Sequence, residues 1–458
     1  MNKLYIRRGL CFLLSLMIAT GFVACKKEID VPSPSVPIDD PVVEKPQNRP
    51  GKVCPVGKLL GQAITATIGP QGGTLTSADQ RLTIQVPAGA VETSQPFRIQ
   101  PIASTGPQAL GTGFRLSPHG VTFKKPITIR VNYSPAQLDG TVAQALALAY
   151  QTDKGVWRIA AKGRVDTTTH TVSVETTHFS DWALLQRAHL NPSIGFVKPG
   201  GNMGLEVQLL DGDVTVPLVE DADVPEPYEA PSTVVDYTSW KVTGGGQLSP
   251  ALWKALYYAP STPPAKNPVA VTIKLKGPTV HEGKPFKELW LVSNIYVGDE
   301  GITYRINGGK WINTKVALGA QYLPTPKGPM LMIVGGGMDA QKPVGVTITQ
   351  LNPSTYIPEG GDFGTIGGVS EVWQVGEAGP QFQLSDQGGS LLYLHYYRIG
   401  KVLHPSPGTF TVSQFGTVGE MITGKFELGR AGIMRPGDEN ALINTNRIEG
   451  FFRVTRTK

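Results

Sequence analysis

Hydrophobic and polar positions alternate along most of this chain. In PITIRVNY, Ile127, Ile129, Val131 and Tyr133 share one face, and in VAVTIKL so do Val269, Val271, Ile273 and Leu275. GITYRIN repeats the pattern with Ile302, Tyr304 and Ile306, and GTFTVSQF with Phe410 and Val412. A period of two, broken by Gly, Pro and Asn-Gly, predicts short strands joined by tight turns. The 54 glycines and 38 prolines supply that punctuation, and long helical periodicity is absent. The pattern predicts an all-β protein of three sandwich-like domains in tandem, at 63–188, 189–296 and 297–458. Asn307-Gly308 reads as a type I′ hairpin turn. The run GGGM at 335–338 reads as a tight turn, and VKPGGN as a hinge opening the second domain.

The N-terminus departs from this pattern. MNKLYIRRG carries Lys3, Arg7 and Arg8 without an acid, then an apolar run from Leu10 to Val23, then Ala24-Cys25. A charged start, a short apolar stretch and a small residue before a cut describe a signal peptide over residues 1–24. The tetrapeptide FVAC resembles a bacterial lipobox. That resemblance implies lipid on Cys25, a covalent group rather than a cofactor, and attachment to a membrane through it. Each buried methylene contributes about 0.8 kcal/mol, so several acyl chains hold a protein at the bilayer. Residues 25–62, with Pro32, Pro34, Pro37, Pro41, Pro46, Pro50 and Pro55, read as a disordered proline-rich tether. Lys26, Lys27, Glu28 and Asp30 resemble export signals of surface-displayed lipoproteins. The expected location is the outer membrane, facing outward, with a periplasm-facing placement also open.

The first domain carries Gly72-Gly73-Thr74-Leu75, then Pro87-Ala88-Gly89-Ala90, then Leu116-Ser117-Pro118-His119-Gly120 with Phe123, Lys125 and Pro126. In that order these segments resemble the ZU-five domain, which implies a β-sandwich without assigned catalysis. The second domain, with SWKVTGGG, YYAP and NPVAVTI, is similar to bacterial immunoglobulin-like repeats. That likeness makes Trp240 the plug between sheets, here without the disulfide. The third resembles an uncharacterised C-terminal β-domain of such lipoproteins, with G-x-F strands closing on a last Gly-Phe-Phe strand.

Charge and chemistry exclude several functions. The net charge of +6 falls to +3 once the three cations of the signal peptide leave, and no basic stripe is interleaved with aromatics, so nucleic acid is not an expected partner. Removal of Cys11 and lipidation of Cys25 leave Cys54 as a lone thiol. The seven histidines form no HExxH pair, and no GxSxG elbow, P-loop or dinucleotide fingerprint occurs. The chain therefore reads as a non-enzyme acting as a binding, adhesive or spacer module toward an unknown protein or polysaccharide. The acidic run 210–230 holds Asp211 and Asp213, oxygen donors of the kind Ca²⁺ takes, but a solvated loop explains it better. One alternative is glycan capture by aromatics, with Trp253, Trp290, Trp373, Tyr393, Tyr396 and Tyr397 as the exposed candidates.

The other alternative is self-cleavage. His178-Phe179-Ser180 matches the tripeptide at which some ZU-five relatives cut themselves. The resemblance implies that the Ser180 hydroxyl attacks the Phe179 carbonyl, with His178 as base. Against it stands a final strand with Phe179 facing inward. Simple alternation then excludes Trp182 from the same face, which predicts a kink near Ser180-Asp181.

Overall fold

The computed structural model describes residues 49–458 apart from 212–217, 277–279, 282–283, 286–287, 340–341, 352, 354–360, 363–368, 377–378, 436 and 438–440. The signal peptide, Cys25 and most of the proline-rich tether lie outside the described residues. The fold is all-β, and among the described residues no helical segment exceeds the four residues of Pro135–Leu138.

The first module is a sandwich. One sheet runs in the order Ile64–Ile68, Gln95–Ile102, Gly113–Ser117, Asp181–Gln186, Leu146–Gln151, Trp157–Ile159, Ala222–Asp223. The facing sheet runs Gly73–Thr76, Leu82–Val86, Ile127–Asn132, Thr171–Thr176, Arg164–Asp166. Alternation works as expected in Ile127–Asn132, where Ile127, Ile129 and Val131 are buried and Arg130 and Asn132 are exposed. Asp181–Gln186 breaks the rule, because all six residues are buried. Trp182 and Leu184 face the sandwich core. Ala183 and Leu185 join a second core with Trp157, Ile159, Leu210, Val224 and Cys54.

That second core has a cover, and the cover corrects the expected extent of the tether. Residues 51–60 lie along the sheet instead of hanging free. Val53 bridges Val156, Leu59 bridges Ile102, and the Cys54 amide donates to the Gly155 carbonyl at 2.8 Å. A proline-containing extended segment makes no internal hydrogen bonds, so an adjacent strand can take up its amides. Cys54 and Gly57 face inward at a spacing of three.

The second module is also a sandwich. One sheet holds Ala188–Asn191, Asn202–Leu209, Lys254–Tyr258 and Gln247–Ala251, with Tyr228–Glu229 against Asn202–Leu209. The other holds Ile194–Val197, Leu289–Val297, Val269–Leu275 and Val235–Thr243, its first pair parallel. VKPGGN is not the hinge into this module. It is the turn between Ile194–Val197 and Asn202–Leu209, closed by the Gly201 amide on the Lys198 carbonyl at 2.9 Å. The real passage from the first module is a single residue, Arg187, between Asp181–Gln186 and Ala188–Asn191. Tyr257, fully buried, occupies the centre of the core; Trp240 is half-buried at its margin, its indole N–H on the Leu252 carbonyl at 2.8 Å.

The third module is a strongly curled sheet. Its path is Ile312–Thr314, Gly301–Ile306, Thr445–Thr455, Met421–Met434, Leu391–Leu394, Gly379–Asp386, Lys342–Leu351, Gly328–Asp339, Val316–Thr325. The last strand of the path curls back toward the third, since Ala320 bridges Arg456, just past Thr445–Thr455, and the Thr457 amide donates to the Ala320 carbonyl at 2.7 Å. Asn307 and Gly308 both take positive φ, as a type I′ turn demands. GGGM is not a turn but the interior of Gly328–Asp339. A Cβ at Gly335 would stand 2.4 Å from the Thr314 hydroxyl, and one at Gly337 3.1 Å from the Thr314 Cα. The glycines let Ile312–Thr314 cross close over this strand.

The three modules meet at one junction. Asp139, in the first, accepts from the Lys425 ammonium of the third at 2.7 Å and from the Asn294 amide of the second at 2.9 Å. Gly140 donates its amide to the Val292 carbonyl at 2.9 Å. Beside them the Phe451 ring lies 4.9 Å from Tyr296, 6.4 Å from Phe196 and 5.8 Å from Trp311, centroid to centroid.

Candidate functional site

The tripeptide HFS is a passage between sheets, not part of a strand. Thr171–Thr176 belongs to one sheet of the first sandwich and Asp181–Gln186 to the other, so residues 177–180 cross the core between them. The crossing is held on both sides: Phe123 donates its amide to the Thr177 carbonyl at 2.7 Å, and Leu116 to the Ser180 carbonyl at 3.0 Å. The Thr176 hydroxyl donates to the His178 carbonyl at 3.0 Å. The bend resolves the clash in alternation, because Phe179 and Trp182 both reach the core from opposite ends of the turn.

Phe179 is a core anchor. It is 4% exposed, and its ring meets Phe123 at 4.8 Å and Phe97 at 5.8 Å, both edge-on. Such aromatic contacts add about 0.5–1.5 kcal/mol beyond area burial. Next along the chain, the Ser180 hydroxyl donates to the Gln151 carbonyl. Asp181 follows, buried, and its carboxylate accepts both arms of Arg115 at 2.7 and 2.8 Å. That bond pushes the Arg115 pKa up against the effect of burial.

His178 stands apart from this serine bond. Its ring sits edge-on to Tyr150 at 4.6 Å and parallel to Trp182 at 6.1 Å. Burial pushes its pKa down, opposed by the Asp221 carboxylate and by a backbone contact at Phe179. The imidazole is therefore neutral at neutral pH, the form a base requires. Tyr150 donates its hydroxyl to Asp221 at 2.7 Å, and burial together with this bond raises its pKa to about 12. The structure thus brings His178, Phe179 and Ser180 together but directs the serine proton to a backbone carbonyl. Neither a cis bond nor a positive φ falls on residues 177–181.

The described residues of the acidic run, 210–211 and 218–230, are tied down by ion pairs and hydrogen bonds, though Asp223, Glu226 and Glu229 stay half or more exposed. Asp211 is held by Arg187, with Arg187 Nη2 donating to Oδ1 at 2.9 Å; both side chains are largely buried. The carboxylate that sequence suggested for calcium is thereby engaged by a guanidinium; Asp213 lies outside the described residues. Asp221 also accepts the Ala161 amide at 2.8 Å. Asp223 pairs with Arg158 at 2.8 Å and Glu226 with Lys52 at 2.7 Å. The balancing cations come from outside the run. Among the described residues no group of three or more His, Cys, Asp or Glu is placed to hold a metal ion.

Of the aromatics expected at the surface, Trp373, Tyr393 and Tyr397 are buried, Trp373 at 2% exposure with its N–H on the Glu427 carbonyl at 2.7 Å. Trp253, Trp290 and Tyr396 are partly covered. The run LLYLHYY does not form an aromatic platform, because its alternate residues turn into the module. The junction around Asp139 was missed by sequence reading, since nothing local marks its partners. A scan against protein-family models finds no match, and no curated protein matches the chain.

Proposed function

We propose that this is a lipid-anchored envelope protein, displayed outward from the outer membrane, that acts as a rigid non-catalytic binding or spacer module. The anchor rests on FVAC and the basic, apolar leader before it. The mechanical part rests on one observation, the three-way contact of Asp139 with Lys425 and Asn294. A spacer must transmit position, and modules joined through a partly buried ion pair and an aromatic cluster move as one body. The single-residue passage at Arg187, pinned by Asp211, acts in the same direction.

Palmitate labelling in cells tests the anchor: the label is expected on the wild type and lost on Cys25→Ala. Protease treatment of intact cells tests display, with loss of the protein expected for outward facing. Retention of label by Cys25→Ala, or full protection from protease, contradicts the corresponding part.

A further inference from the structure

We infer that the hairpin 396–405 of the third module is a bilayer-contact device, inserting its aliphatic tip at the surface of an anionic membrane. The hairpin stands outside the curled sheet as its own two-stranded ribbon, Tyr396–Ile399 paired with Val402–Pro405. Its base is fixed. The Ser406 amide donates to the His395 carbonyl at 2.8 Å, and the Arg398 amide to the Leu442 carbonyl at 2.9 Å. Tyr397 is buried, with the Arg430 guanidinium 3.9 Å over its ring.

The tip has the opposite character. Ile399 and Val402 are directly paired and 53% and 59% exposed, with Leu403 at 41%. Lys401 sits at the turn between the paired aliphatics and is exposed. From residue 387 to residue 419 the chain holds no Asp or Glu.

This combination selects the occupant. Protein interfaces centre on aromatic or Arg anchors filling pockets. Here a purely aliphatic hairpin tip carries Lys401 at its turn. Apolar side chains that enter the headgroup boundary, beside cations that meet anionic lipid, are what interfacial binding requires. The lipid anchor proposed above supplies the setting, but the contact is testable without it.

The test uses the unlipidated chain from residue 26 onward, which contains the whole described body, sedimented with vesicles. One set is phosphatidylglycerol and phosphatidylcholine in equal parts, the other phosphatidylcholine alone. Wild type is expected to partition about tenfold better onto the anionic set, at low salt. Ile399→Asp with Val402→Asp should lose about tenfold or more of that binding with an unchanged melting curve. Lys401→Glu, which leaves the aliphatic pair in place, should reduce it too. Val219→Asp, at a valine 84% exposed elsewhere, should not. Equal binding to both vesicle sets, no binding to either, or wild-type binding by the hairpin variants overturns the inference. Because no acyl chain is present, a failed anchor shows in the palmitate experiment and leaves this result unaffected.

Discussion

Phe426 and Gly450 face each other across two neighbouring strands of the third module, and so do Phe452 and Gly424. A Cβ at Gly450 would stand 2.3 Å from the Phe426 ring, and one at Gly424 2.3 Å from the Phe452 ring. Each aromatic therefore lies flat over the opposing glycine, an arrangement that protects the bare backbone and packs the core. On the reverse face of the same pairs stand Lys425 and Phe451, opposite one another, which reach the first and second modules. The G-x-F strands thus seal the third module inward and join it to the others outward.

Gly424→Val should be severely destabilising, because its Cβ would also meet the Thr411 carbonyl oxygen at 2.1 Å. Overpacking of this kind costs about 1–3 kcal/mol or more. Chemical denaturation should show the loss, and a variant as stable as wild type would contradict the packing described.

Lys425→Ala should cost about 1–3 kcal/mol, since it leaves the partly buried Asp139 carboxylate without its cation while Asn294 still donates to it. Burial works against the lysine charge, yet Asp139 and Tyr296 push its pKa up, so the ammonium is the resident form. A double-mutant cycle with Asp139→Ala reads the coupling, and additivity would mean the pair carries nothing.

Self-cleavage is expected not to occur. Denaturing electrophoresis of the purified ectodomain should give a single band, the same for Ser180→Ala. The substitution should cost only the bond to the Gln151 carbonyl, about 0.5–1.5 kcal/mol. Two fragments meeting at Phe179–Ser180, absent from the variant, would reverse this reading.

Stability should fall as pH drops below about 6.5, the ordinary imidazole value. Burial lowers the pKa of both His178 and His395, so the unfolded chain binds their protons more readily than the folded one. Their contribution is complete above the unfolded value and is lost as pH falls toward the depressed one. Urea midpoints at about pH 7 and about pH 5 check this, and His178→Gln with His395→Asn should flatten the difference.

The strands were legible because each sandwich face buries every second residue, as Ile127, Ile129 and Val131 do. Asp181–Gln186 was not, because a strand buried on both sides has no alternation to read. Proline and glycine marked turns and breaks correctly in kind but not in place: VKPGGN turns within a sandwich, and the prolines before residue 62 do not stop residues 51–60 from pairing. Residue size shows that Trp373 is a large apolar group, not whether a neighbouring strand covers it. The ion pairs of the acidic run and the Asp139–Lys425 pair were hidden for one reason: their partners lie outside the local stretch, the latter 286 positions apart. Local spacing carries no record of such contacts.

The three modules are expected to behave as one rigid body. Spin labels at Glu175→Cys in the first module and Lys327→Cys in the third, both exposed positions, place one probe in each of the modules that the Asp139–Lys425 pair joins. Pulsed dipolar spectroscopy of that pair should return a single narrow distance distribution. A broad distribution, as modules swinging on a linker would give, would contradict it.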